Sequence, residues 1–219
     1  MRSGSRRRSL EMGLVFCCLV LATVPVLGRQ PEAFAVTLYT RFEQPVPDAI
    51  LSTIKSELAL ALHPGGLHVE WQQLPGPPGA AVANEFAVIS FTGRCDVDDL
   101  VPGASRPGDL GWTYVSDGVV TRFGVVDCDR IRGFIQSALI SVPPLSRPAV
   151  FGRAAAHVAA HEAYHILAQT QHHAGCGAGK AAYTVRQLLS PGFGFDQTEL
   201  RAIRDGCAYP RGEPANDEK

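Results

Sequence analysis

The pentapeptide His161-Glu162-Ala163-Tyr164-His165 constrains this chain more than any other stretch of it. Residues four apart share one face of an α-helix, so the two imidazoles project together. Set that way, they can grip one Zn2+ at about 2.0–2.1 Å each. Glu162 lies beside that face, where it can take a proton from a water held at the ion. The flanks are uncharged: Val158, Ala159 and Ala160 precede the motif, and Ile166 and Leu167 follow it. A helix apolar on most sides belongs in an interior. An ordinary buried helix with surface histidines is the competing account. Apolar flanks, further histidines at 172 and 173, and signs of export weigh against it.

Those signs begin at the N-terminus. Arg2, Arg6, Arg7 and Arg8 form a basic head, and Met12 to Leu27 is an apolar run. Val26-Leu27-Gly28 suits a signal peptidase, so residues 1–28 are expected to be a cleaved signal peptide. Removing them from the 219 residues leaves 191, enough for one domain with its own core. The expected organisation is a single domain over 29–208 and a flexible polar tail over 209–219. The mature chain carries 16 basic and 20 acidic residues, a net charge of −4. That balance argues against nucleic acid or an anionic membrane surface as partner. No stable membrane span is expected after signal cleavage, and a secreted or periplasmic location follows. No propeptide of matrixin size is expected before the first strand.

Four cysteines survive maturation: Cys95, Cys128, Cys176 and Cys207. An even number in an exported chain suggests two disulfides, with three possible connectivities. Pairing within each half, Cys95–Cys128 and Cys176–Cys207, is the expectation.

Hydrophobic periodicity supplies the elements. Strands are expected at 33–39, 67–71 and 85–91, and a hairpin at 112–115 and 119–126 turns on Ser116-Asp117-Gly118. A helix opens at Pro47-Asp48, with Leu51, Ile54, Leu58, Ala61 and Leu62 on one face. A second runs from about Asp129 to Ile140, the motif helix from about Ala149 to Ala168, and a last one from near Asp196 to Gly206. This order predicts an α+β fold: a mixed β-sheet packed on helices, a buried motif helix, and a short irregular C-terminal part. A cleft is expected between the two halves, bordered by one strand of the hairpin.

A hydrolytic zinc takes three protein ligands and keeps one open position. His172, His173 and Glu199 are the candidates for the third. On an unbroken helix His172 would lie about 10 Å along the axis from His165, so the chain must leave the helix near 168–170 and fold back. Asp196-Gln197-Thr198-Glu199 also reads as a capping box, which gives Glu199 a simpler task. His157 has no carboxylate after it, since Val158 follows, and is expected to pack or to support a ligand. His63 and His68 stand alone and read as surface residues.

The motif, its late position and the strand–helix–strand start resemble the zincin metallopeptidases, and among them the metzincins. Metzincins usually place Gly three residues after the second His and the third His six after it; Ala168 and Gln171 stand there in this chain. The segment resembles exported bacterial matrixin-like proteins, with the third His eight residues on and then a small turn. His173 has that spacing, and Gly177-Ala178-Gly179-Lys180-Ala181 resembles the turn. The metzincin turn methionine is missing, because Met1 and Met12 both fall in the signal segment. The resemblance implies a zincin-like fold, Zn2+ on His161, His165 and His173, Glu162 as catalytic base, and hydrolysis of peptide bonds in a peptide or protein substrate. It also offers Tyr183 an oxyanion-stabilising role, although a buried loop aromatic is the simpler expectation. A non-catalytic exported binding module and a zinc amide hydrolase acting on the cell envelope are the alternatives.

Overall fold

The computed structural model describes residues 34–76, 83–100 and 108–208. These fall in one compact unit, Pro31–Lys219. The expected signal segment 1–28 and tail 209–219 lie outside the described residues. Strands β1 (Phe34–Phe42), β2 (Leu67–Gln73), β3 (Phe86–Thr92), β4 (Gly111–Ser116) and β5 (Val119–Asp127) form one sheet in the order β2-β1-β3-β5-β4. All neighbours are parallel except β4, which runs antiparallel to β5. The sheet is therefore mixed, and the α+β architecture is the one expected. Asp117 and Gly118 both have positive φ, 51° and 80°, as a two-residue type I′ hairpin turn needs.

Helix α1 (Asp48–Leu62) buries Ile50, Ile54, Leu58, Ala61 and Leu62. Ile50 takes the place expected for Leu51: the stripe enters the helix one residue earlier and keeps its 3–4 spacing. Helix α2 (Cys128–Ser141) buries Ile131, Ile135 and Leu139, and the Asp127 carboxylate caps it by accepting from the Arg130 amide at 2.9 Å. Helix α3 (Arg147–Ala168) begins with Pro148 in its first turn and carries the motif. From Phe151 to Leu167 every residue is buried except Arg153. Arg153 is tied to Glu57 of α1 at 2.7 Å. Helix α3 packs on α1, α5 (Gln197–Ala208), α2 and the inner face of the sheet, so it is the core around which the domain assembles.

Cys95 and Cys128 form a disulfide, joining the segment after β3 to the first residue of α2. The expected Cys176–Cys207 bond is not formed. The Cys176 thiol is exposed and donates to Asp196 at 3.2 Å, just before α5, whereas Cys207 is buried at the other end of that helix. Eleven residues of helix span about 16 Å. A disulfide needs Cα atoms within about 7 Å. A short helix α4 (Val185–Leu189), not foreseen from the periodicity, has a Thr184–Gln187 capping box. Among the described residues no helix is long and apolar enough to cross a membrane.

Candidate metal centre

Helix α3 ends at Gln169, whose φ of 51° puts it in the left-handed region. A non-glycine residue there costs about 1–2 kcal/mol. The cost is offset locally, as the Thr170 amide and the Gln169 side chain satisfy His165 and Ile166 carbonyls. The chain thus turns back within a few residues and returns His173 over the motif. His161, His165 and His173 each present a ring nitrogen, and these atoms lie within 4.8 Å of one another. The His173 ring stacks on His161 at 5.2 Å and meets His165 edge-on at 4.8 Å. His172 stays exposed, with its amide donating to the Thr170 hydroxyl.

The other ring nitrogens fix the tautomers. His161 Nδ1 donates to the Ala178 carbonyl at 2.9 Å, and His165 Nδ1 donates to the Thr170 carbonyl at 2.7 Å. A carbonyl can only accept, so both Nε2 atoms are left as lone-pair acceptors. They face each other at 3.1 Å. Two acceptors at that distance repel unless a cation lies between them. Two Zn–N bonds at a tetrahedral angle would separate the nitrogens by about 3.3 Å. The donor set therefore fits zinc, with neutral imidazoles as ligands. Burial points the same way: it lowers the His161 pKa to about 4, and it also lowers that of His165.

Glu162 is 3% exposed. Burial pushes its carboxyl up to about 7, opposed by the Thr113 hydroxyl of β4, which donates to Oε2 at 2.7 Å. Gly111 and Gly124 let the sheet approach Glu162 this closely. A Cβ on Gly111 would sit 2.8 Å from Glu162 Oε1 and 2.7 Å from the Val125 carbonyl. Gly111→Ala is accordingly expected to displace Glu162 and cost about 1–3 kcal/mol through overpacking, read as a lower denaturation midpoint. Glu162 and the three imidazoles line a cleft of ≈ 520 Å³. Its walls include Leu110, Trp112, Val115, Ala181, Ala182 and Tyr183. The bordering strand is β4, at the sheet edge; β5 is interior, between β3 and β4.

Three residues weighed from sequence take other positions. The Glu199 carboxylate accepts from the Asp196 and Gly179 amides, both at 2.5 Å, and the Asp196 carboxylate accepts from the Glu199 amide at 2.8 Å. That is the expected capping box with one extra contact, and it leaves Glu199 outside the imidazole cluster. His157 is buried, donates from Nδ1 to the Leu188 carbonyl at 2.9 Å, and packs edge-on against Phe193. The Tyr183 hydroxyl lies 2.7 Å from His161 Nδ1 and also bonds the Ala178 carbonyl. Thr113 was not legible as a partner of the motif: it reaches Glu162 across 49 residues of chain, with no local pattern to mark it, whereas only the family resemblance points to Tyr183.

A crystal structure of archaemetzincin from Methanopyrus kandleri is similar to this chain with a TM-score of 0.48 and 11% identity, covering 81% of this chain and 98% of that one. No family model and no curated protein matches the sequence. At that level of similarity, what the site does is decided by its own residues.

Proposed function

We propose that the chain is an exported zinc-dependent endopeptidase, of zincin type, with His161, His165 and His173 holding the metal and Glu162 as general base. The observation that carries this reading is the pair of Nε2 acceptors facing each other at 3.1 Å, with His173 beside them and a buried carboxylate next in sequence. When bound, zinc would supply Lewis acidity toward a carbonyl and a water acidic enough to lose its proton near neutral pH.

The remaining chemistry belongs to the chain. A carboxyl pushed up to about 7 can take a proton and return it to a leaving amine under the same conditions. Thr113 holds one carboxylate oxygen, so the proton is exchanged at the other. Among the described residues β4 pairs only with β5, and its other edge borders the cleft, where an extended peptide can add as a further strand. Apolar walls at Leu110, Val115 and Val158 suit an uncharged side chain beside the scissile bond. Export accords with the N-terminal segment and with the Cys95–Cys128 disulfide, a bond of oxidising compartments.

Metal analysis of the purified mature protein, combined with a fluorogenic peptide library, tests this. One zinc per chain is expected, with cleavage lost to a chelator and restored by zinc. Zinc without cleavage of any peptide would make the chain a binding module, and a protein with no affinity for zinc would end the reading. The ligand set has its own check. His173→Ala is expected to weaken zinc binding by at least about 100-fold, more than outer-shell changes cost, while His172→Ala leaves it unchanged in a chelator competition.

A further inference from the structure

We infer that Glu199 is a positioning residue of the metal centre: through the Ala178–Gly179 peptide group, its carboxylate orients and strengthens the ligand His161. The inference rests on the zinc reading above.

Glu199 lies in the first turn of α5 and is 1% exposed. Capping that helix occupies only Oε2, which accepts from the Asp196 amide at 2.5 Å. Oε1 is turned toward the loop that follows His173 and accepts from the Gly179 amide at 2.5 Å. The other end of that same peptide group is the Ala178 carbonyl. It takes the His161 Nδ1 proton at 2.9 Å and also the Tyr183 hydroxyl. Carboxylate, peptide and imidazole therefore form one chain of hydrogen bonds, and such bonds polarise one another in series. A charge accepting the N–H raises electron density on the carbonyl oxygen. The stronger acceptor holds the His161 ring in its tautomer and makes Nε2 a better donor to a cation. Ligating histidines commonly give their second N–H either to a carboxylate or to a carbonyl. Here both act in sequence, separated by one amide.

The backbone is cut to fit this contact. A Cβ on Gly177 or on Gly179 would overlap the Glu199 carboxylate. The loop that frames the site therefore presses its bare backbone onto a buried charge, and the Gly-Ala-Gly sequence is what permits it.

Two variants separate this role from helix capping. Glu199→Gln keeps the shape and an acceptor but removes the charge. Asp196→Ala removes the reciprocal half of the cap and leaves the Gly179 contact intact. Chelator competition on the two proteins should show zinc affinity falling about 10–100-fold in Glu199→Gln and unchanged in Asp196→Ala, although the latter melts at a lower temperature. In metal-free protein, the His161 Nδ1 proton resonance should move upfield in Glu199→Gln alone. Equal zinc affinity in Glu199→Gln and wild type, or equal losses in both variants, overturns the inference while leaving the zinc site standing. If the wild type binds no zinc, the enzyme reading falls, and the Nδ1 resonance still reports whether Glu199 reaches His161; a resonance that stays put refutes the link. If Glu199→Gln does not fold, zinc added to the wild type should shift the Gly179 amide proton downfield but not that of Asp196, and no such shift refutes the link as well.

Discussion

Glu162→Gln should leave zinc bound and slow turnover by orders of magnitude. The amide fills the same volume and can still accept the Thr113 hydroxyl, so the fold and the three imidazoles stay in place. It cannot take up a proton. General-base catalysis contributes about 10²–10⁴-fold, and kcat/KM is expected to fall by that range with KM little changed. Stability should not fall, because a carboxyl buried at 3% exposure, whose ionisation burial already disfavours, is replaced by a neutral group. Steady-state kinetics with metal content on the same preparation decide it. Cleavage persisting within threefold of wild type would remove Glu162 from the mechanism, and loss of zinc would instead make it a structural support of the site.

The largest effect on stability is expected from the disulfide. Cys95 and Cys128 close a loop with a separation of 33 residues, and that loop contains the β4–β5 hairpin. Loop-closure entropy for that length gives about 3–4 kcal/mol. The Cys95→Ala, Cys128→Ala double variant should lose roughly that much in denaturant unfolding. The disulfide is also surrounded by charge pairs: Arg94 and Arg132 both reach Asp96, at 3.1 and 3.3 Å, and Arg132 reaches Asp129 at 3.3 Å. These are part-exposed pairs screened by solvent, and they cannot replace the covalent link. Since β4 carries Thr113 and the cleft edge, activity should fall before global unfolding as the hairpin loosens. Reductant should reproduce the variant in the wild type. A double variant as stable as wild type would show that the sheet and α2 hold this loop unaided.

Much of the centre was legible because helical periodicity is local. Two imidazoles four residues apart must share a face, and the apolar flanks of α3 must be buried. The capping box at Asp196–Glu199 and the Asp-Gly hairpin were equally local, each set by contacts within a few residues. Apart from the short helix α4 and its local capping box, the departures are non-local. Ile50 replaces Leu51 on the buried face of α1 because the neighbouring α3 selects which stripe is covered. Cys176 and Cys207 looked like a pair by parity, but α5 holds them at opposite ends of a rigid rod. Glu199 looked like a third ligand or a cap; it is a cap that also reaches a loop 20 residues back.

The chain by itself therefore determined that residues 161, 162 and 165 emerge from one buried helical surface, since a helix repeats every 3.6 residues whatever surrounds it. Only the tertiary structure decided what completes that surface. The return of His173 depends on a left-handed residue at 169 and on the loop beyond it. The tautomers of His161 and His165 depend on which carbonyls the folded backbone brings to their Nδ1 atoms, and no sequence period encodes a distance across the core.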